Sequence, residues 1–200
     1  MLALLLLAAD PETTAVDAEN AFRRAAQAEG QWTAFRKFAA EDALLFTPQP
    51  EKAHSALPTE NPPIAVQWWP AESYVSCDAA TAVNTGPWVR PASVGYFTTV
   101  WEKQPGGGWK WVLDHGDTLT RPRALAEKPR VRSASCGGTI PEWAHAPCRI
   151  EAKCGHGLSA DRTLHWDWQV EPDGSRRFTA ELWNGRDYDT VVRDEVTPKQ

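Results

Sequence analysis

Apolar positions recur at helical spacing near the start of the chain. Ala15, Ala18, Phe22, Ala25 and Ala26 form one stripe, with Arg23, Arg24, Gln27 and Glu29 on the rest of the wheel. Thr14 supplies a capping hydroxyl, Asp17 an acid in the first turn and Gly30 a stop, so a helix is predicted between them. Trp32, Phe35 and Phe38 mark a second short helix, and Ala43–Thr47 reads as a strand closed by Pro48 and Pro50. Glu51–Pro63 is polar and proline-rich, and reads as a loop.

From Ile64 the apolar period shortens to that of strands. Four runs follow, Val66–Asp78, Thr81–Arg90, Val94–Gln104 and Trp109–Leu119, separated by the short turn signals Asp78–Ala80, Pro91–Ser93 and Pro105–Gly108. Connections this short join antiparallel neighbours. The basic, proline-containing stretch 120–132 then reads as a solvated linker, because no aromatic residues interleave with its charges. The tail, 133–200, alternates over Thr163–Glu171, Arg176–Trp183 and Arg186–Val196, with an Asn184-Gly185 type I′ turn. Three strands without a helix are marginal alone, so the tail is expected to dock on the first domain or lean on a disulfide. The pattern predicts an α+β protein: helices first, a long antiparallel sheet, and a small C-terminal β-meander.

Counting the turns gives a register. A two-residue turn at Ala79-Ala80 sets Tyr74 opposite Thr85 and Glu72 opposite Pro87. The next turns set Thr85 opposite Thr98, Pro87 opposite Tyr96, Thr98 opposite His115 and Tyr96 opposite Asp117. One face then carries a polar end of Glu72, Tyr74, Tyr96, Thr98, His115 and Asp117, with Trp68 on the same face by parity. Its other end holds Ser76, Val83, Val100, Leu113 and Trp111. That suits a pocket with an apolar floor and a polar mouth. His115, tuned by Asp117 or Glu72, is the candidate general base or acid, and Tyr74 and Tyr96 are candidate oxyanion donors. Trp68, Glu72, Tyr74, Tyr96, Thr98 and His115 are the candidate ligand contacts. The opposite face, with Val75, Cys77, Ala82, Trp101 and Val112 and then Asn84, Thr99 and Asp114, needs a cover, either a second subunit or the tail strands bearing Trp166, Trp168 and Trp183.

Composition narrows the function classes. The 26 acidic and 21 basic side chains leave a net charge of −5 over 200 residues, which argues against a nucleic-acid partner. No nucleotide loop, nucleophile motif or zincin motif occurs, and no cofactor is expected. Eleven tryptophans against a single methionine suit aromatic-lined pockets and interfaces. The run Met1–Ala9 is too short to span a bilayer. Followed by small residues, it reads as a truncated signal peptide, although no basic residue precedes it. Four cysteines, an even number, fit an oxidising compartment, periplasmic or secreted, with the cytoplasm as the alternative. A local disulfide using Cys136 is expected among Cys136, Cys148 and Cys154, and Cys77 reads as a buried small hydrophobe. The spacing of Cys136, Cys148, Cys154 and His156 matches no zinc pattern, so no metal site is expected. His145 and His165 read as surface residues, and His54 and Glu60 lie in the loop.

The order of four segments carries a resemblance. These are Glu19-Asn20-Ala21-Phe22-Arg23-Arg24-Ala25, Ala39-Ala40-Glu41-Asp42-Ala43-Leu44-Leu45-Phe46, Gly95-Tyr96-Phe97-Thr98-Thr99-Val100-Trp101 and Gly107-Gly108-Trp109-Lys110-Trp111-Val112-Leu113-Asp114-His115. Over residues 14–119 the chain resembles the SnoaL-like and ketosteroid-isomerase-like branch of the nuclear-transport-factor-2-like superfamily. It is most similar to domain-of-unknown-function members that end in a G-W-x-x-V-x-x-H strand. The resemblance implies a cystatin-like cone, in which a curved antiparallel sheet wraps the N-terminal helices and leaves a pocket at its open end. It also implies a possible homodimer through the outer sheet face. Members include isomerases, cyclases, dehydratases, ligand binders and assembly modules, so fold does not decide function. The isomerase's base and oxyanion hole find no residue-by-residue match here. The leading expectation is an envelope protein whose pocket binds a small, partly apolar molecule. The alternatives are a lyase or isomerase moving a proton next to a carbonyl, with His115 and Asp117 as catalytic residues, and a non-catalytic interaction module.

Overall fold

The computed structural model describes residues 14–125, 127–143 and 147–198. The signal-peptide reading of residues 1–9 and the surface reading of His145 lie outside them. In chain order the elements are α1 (Ala15–Glu29), α2 (Gln31–Phe38), β1 (Ala39–Phe46), β2 (Pro50–Lys52), α3 (Ala53–Ala56), β3 (Gln67–Trp68), β4 (Glu72–Val75), β5 (Thr81–Arg90), β6 (Ser93–Lys103), β7 (Trp109–Leu119), β8 (Arg130–Ser133), β9 (Lys153–Leu158), β10 (Leu164–Val170), β11 (Arg176–Trp183) and β12 (Tyr188–Val196). Among the described residues no helix is long and apolar enough to cross a membrane.

The start of α1 follows from its first four residues. Thr14 Oγ1 accepts from the Asp17 amide at 3.1 Å, and the Asp17 carboxylate accepts from the Thr14 amide at 3.1 Å. This reciprocal cap stabilises the helix by about 1 kcal/mol. Gly30 joins α1 to α2 at φ 102°, and a Cβ there would meet the Asn61 side chain at 2.3 Å. That close approach lets Asn61 Oδ1 accept from the Trp32 and Thr33 amides, so a distant residue caps α2.

The fold is α+β, with a mixed eight-stranded sheet, in the order β2-β1-β7-β6-β5-β4-β8 with β3 also on β5, and a four-stranded antiparallel sheet. The main sheet differs from the antiparallel expectation at two places, since β1 joins β7 in parallel and β8 joins β4 in parallel. The first departure comes from α1 and α2, which lie ahead of β1 and bring it in along the direction of β7. The second comes from the segment read as a linker, which crosses back and ends as the exposed edge strand β8. Its charged sequence hides it, as edge strands that resist further pairing tend to be charged.

Both faces of the central strands are covered, because β5 and β6 each carry a run of seven consecutive buried residues. On one face α1 and α2 pack Phe22, Phe35 and Phe38 against Ala82, Trp101 and Trp111. On the other, Val83, Val100 and Leu113 meet Trp166, Trp168, Phe178 and Trp183 of the C-terminal sheet. The expected assignment of the faces is therefore reversed. The His115 face carries the tail, and the Trp101 face carries the helices. The outer face that the resemblance offers for a dimer is occupied by the chain's own C-terminal sheet.

The registers β5–β6 and β6–β7 place Thr85 opposite Thr98, Thr98 opposite His115 and Tyr96 opposite Asp117, as the turn count predicts. Three details differ. Ser76 pairs with Thr81 around a four-residue loop, so Tyr74 faces Val83 and Glu72 faces Thr85, a shift of two that keeps parity. A bulge leaves Val112 unpaired, since Val100 faces Leu113 while Trp101 faces Trp111, and Trp111 turns to the helix side. The break at Trp69-Pro70-Ala71 separates β3 from β4, so Trp68 also faces the helices. In the tail, Asn184–Asp187 is a four-residue loop in place of the tight turn, its amides at 186 and 187 bonding to Asn184 Oδ1.

The tail has a fourth strand, β9. In it Gly157 faces Trp166 and Gly155 faces Trp168, and a Cβ at either would meet the indole within 2.4 Å. Each glycine is the seat of a ring, a cross-strand pairing that stabilises an otherwise weak strand. All four cysteines of the chain are paired, Cys77 with Cys136 and Cys148 with Cys154. Cys77 is thus not an isolated hydrophobe. Its bond ties the β4–β5 loop to the start of the tail. His165 is fully buried between Trp143 and Tyr188, and burial lowers its pKa to about 4, so it is not a surface residue.

Glu19 is the buried charge at the helix–sheet seam. Its carboxylate accepts from Trp68 Nε1 at 2.7 Å, Trp101 Nε1 at 2.7 Å and Asn84 Nδ2 at 3.3 Å. Burial raises its pKa, these donors lower it, and the balance sits at about 7 against an ordinary 4.5.

Glu19→Gln leaves one indole N–H facing an amide N–H, and is expected to cost about 1–3 kcal/mol at low pH. Because the folded pKa lies above the unfolded one, the native contribution of Glu19 is full below about pH 4.5 and is lost as pH rises to about 7. The stability gap between wild type and Glu19→Gln is therefore expected to narrow over that window. Denaturant melts at several pH values check this, and a constant gap would count against a buried titrating carboxyl.

The two disulfides close loops of very different size, with separations of 59 and 6 residues. Loop entropy assigns about 4 kcal/mol to the first and about 2 kcal/mol to the second. Paired Cys→Ser variants are expected to keep that order in chemical denaturation.

Candidate functional site

A cavity of about 330 Å³ opens between α1, α2 and the end of β7. Its existence follows from strand lengths. β1 pairs with β7 only as far as Asp114, while β7 runs on to Leu119, so the sheet is left open beside Gly116 and Asp117. The walls are aromatic: Phe22, Trp32, Phe35, Trp68, Trp88 and Phe97. The rings pack edge to face, with Phe22 at 4.7 Å from Phe35 and 4.8 Å from Trp68. Polar residues cluster towards the mouth, among them Arg90, Ser93, Asp117 and Thr118.

One lining carboxyl is half-buried on the helix side. Asp114 Oδ2 accepts from Thr99 Oγ1 at 2.7 Å. Burial raises its pKa, the Thr99 hydroxyl lowers it, and the nearby Glu19 charge raises it again, to about 7. Two acids thus share this interior without a base among the helix-side lining residues.

Of the residues expected at a ligand site, Trp68, Tyr96, His115 and Asp117 line this one cavity. Glu72, Tyr74 and Thr98 do not. Tyr74 Oη donates to Glu72 at 3.1 Å, Glu72 pairs with Arg130, and the Tyr74 hydroxyl is pushed up to about 12 by burial and the Glu72 charge. Thr98 Oγ1 bonds to Asp194 at 2.7 Å.

His115 belongs to a buried cluster between the two sheets. Its Nε2 lies 3.2 Å from Asp194 Oδ2, outside hydrogen-bond alignment, and neither ring nitrogen has a hydrogen-bond partner among the described residues. Its ring lies 4.8 Å from Phe178. Burial lowers its pKa, which favours the neutral imidazole despite Asp194. Burial alone would raise Asp194, but His115, the paired Arg123 guanidinium and the Thr98 hydroxyl outweigh it and hold the carboxyl at about 2. Arg123 also donates to Thr85 Oγ1 at 2.7 Å and sits 3.7 Å over the Tyr96 ring. Arg123 is therefore a clamp between sheets and not a solvated linker residue.

A second, open cleft of about 480 Å³ includes Glu72, Arg123, Arg130, Arg193 and Asp194. Two of its three arginines are engaged by its own acids, Arg123 by Asp194 and Arg130 by Glu72. It carries a smaller chemical demand for a ligand than the aromatic cavity.

Glu19 and Asp114 were the residues that spacing did not mark. A signal existed for Glu19, because it stands at i+4 from Ala15 and i−3 from Phe22, on the apolar stripe of α1. Asp114 was placed on the correct face, alongside Trp101, but that face was expected to lie outside.

Asp194→Asn leaves the Arg123 guanidinium without its counter-charge and takes away one of the two oxygens that meet Arg123 and Thr98. Asp194→Asn is expected to cost roughly 3 kcal/mol, with His115→Gln nearer 1 kcal/mol. Urea melts of the two variants check the order, and equal losses would show that Asp194 is not the centre of the clamp.

No protein-family model, curated protein or solved structure matches this chain.

Proposed function

We propose that the aromatic cavity binds a small, partly apolar molecule, in the manner of the ligand-binding members of the SnoaL-like group that residues 14–119 resemble. The observation that carries this reading is the combination of an open, ring-lined cavity with a half-buried carboxyl in its wall. Its size falls in the range of small-molecule sites, with room for a molecule of roughly one or two rings. Oδ2 of that carboxyl is met by Thr99, and Oδ1 takes no hydrogen bond from the described residues, so it is open to a donor on a ligand. The two disulfides are compatible with an oxidising compartment, and we place the protein in the periplasm or outside the cell.

A second reading, proton transfer next to a carbonyl, is favoured by one observation. Asp114 is held at about 7, where a carboxyl both takes and returns a proton near neutrality. Asp114 suits that role better than His115, whose ring packs on Phe178 beside Asp194.

Thr118 is an exposed rim residue, so a large side chain there narrows the mouth without entering the core. Thr118→Trp is expected to change stability by less than about 0.5 kcal/mol. It is expected to weaken binding of one- and two-ring fragments about tenfold, as read by ligand-observed NMR. Fragments that bind both proteins equally, or neither, would rule out this cavity as the site.

A further inference from the structure

We propose that the ligand of this cavity carries a positively charged nitrogen on its apolar body, and that Asp114 is the group that meets it. This rests on the reading of the cavity as a ligand site and adds the class of ligand.

The first argument is the sign of the interior. On the helix side of β7 the wall carries Asp114 and the seam beside it carries Glu19, with Arg23 near Glu19 but outside the wall. Glu19 is saturated by three N–H donors. Asp114 has one hydroxyl donor, on Oδ2, which leaves Oδ1 to accept from an incoming N–H. The lining residues from α2 and β1 (Gln31, Trp32, Phe35, Leu45 and Phe46) are uncharged.

The second argument locates the basic groups. Arg90 lines the rim, exposed, and lies over Trp88 at 5.3 Å. Arg123 and Arg176 lie over Tyr96 and Phe46, and are held by Asp194 and by the Gly116 carbonyl. Arg23 of α1 is near Glu19 but bonds to Asn20 and is not part of the wall. Asp117 adds a second acid at the mouth. A cation that passes Arg90 at the rim therefore meets the Asp114 carboxyl and ring faces inside, whereas an anion that Arg90 attracts then meets that same carboxyl.

The third argument is the rings. Trp and Tyr faces attract cations, and the attraction strengthens when water is excluded. Three aromatic residues of this wall, Trp88, Tyr96 and Phe46, already receive a guanidinium from the protein itself. Trp32 and Trp68 receive none among the described contacts, and they line the cavity together with Phe35 and Asp114.

The fourth is energetic. Two acids held near neutrality by burial repel one another when both ionise. A bound ammonium removes that cost and drives the remaining proton out, so binding and proton release are coupled.

Three probes that share one ring and differ in charge test this: phenethylamine, 2-phenylethanol and phenylacetate. Affinities are measured by calorimetry at neutral pH, in two buffers of different ionisation enthalpy. Phenethylamine is expected to bind at least tenfold tighter than phenylacetate and about fivefold tighter than 2-phenylethanol, with net proton release. In Asp114→Asn, checked for folding by near-UV circular dichroism, the amine-to-alcohol ratio is expected to fall within twofold. If 2-phenylethanol binds as well as the amine, or phenylacetate binds better, the cationic class is wrong while the cavity reading stands. If Asp114→Asn keeps the amine preference, Asp114 is not the recognising group. If none of the probes binds, the cavity reading falls and this proposal falls with it.

Discussion

The seating of α1 on the main sheet depends on one carboxylate. Glu19 reaches across the seam to Trp68 of β3, Asn84 of β5 and Trp101 of β6, so one side chain fixes the helix to three strands. Indole N–H groups in a core need an acceptor, and a buried carboxylate needs donors, so each satisfies the other. The consequence reaches beyond the seam. With Trp68 and Trp101 held upright, Phe22 packs against both, at 4.8 and 6.0 Å, and the rings that wall the cavity are set by the same contact. A shift in α1 would change the shape of the cavity before it opened the core.

The other organising constraint is that the main sheet is buried on both sides. A half-exposed antiparallel sheet alternates apolar and polar residues, but β5 and β6 carry Ala, Val, Thr and aromatic residues without clean alternation. That lack of alternation was the available sign that two layers lie on this sheet. The strands β5, β6 and β7 and their registers were legible, because turn residues and parity are local properties, whereas β2, β8 and β9 were not. Which face receives the helices was not. It depends on how α1 and α2 meet the sheet, and nothing within Thr81–Leu119 records that. The Val112 bulge and the break at Trp69-Pro70-Ala71 then moved Trp111 and Trp68 across the sheet. Parity arguments hold only between such irregularities.

The same reasoning explains the candidate site. The polar set Tyr96, Thr98, His115 and Asp117 was correctly placed together, because the β5–β6–β7 register was correct. What the set does could not be read, since Asp194 of the tail that covers it lies 96 residues beyond Thr98. Thr98 and His115 became part of a clamp between sheets. Tyr96 and Asp117, nearer the open end, stayed at the cavity. Arg123 shows the same limit. Within 120–132 its neighbours mark it as linker, and only its partners Thr85 and Asp194 show that it is structural.

The two acid-bearing regions, on opposite faces of β7, differ in how fully their charges are met. Asp194 is ionised at low pH because Arg123 and Thr98 are committed to it, and burial there is compensated within the fold. Asp114 and Glu19 are raised to about 7, which means the fold leaves part of their ionisation uncompensated. Replacing such groups with apolar residues of similar volume is often neutral or stabilising. Glu19 has a structural reason to be acidic, because two indoles need its oxygens. Among the described residues Asp114 takes a hydrogen bond from Thr99 alone, and that hydroxyl does not need a half-buried carboxyl as its acceptor. The fold therefore accounts for Glu19 and leaves Asp114 over. A carboxyl that the fold meets only in part, set in a ring-lined opening where β7 runs on past its pairing with β1, is the feature on which the proposed site for an outside donor rests.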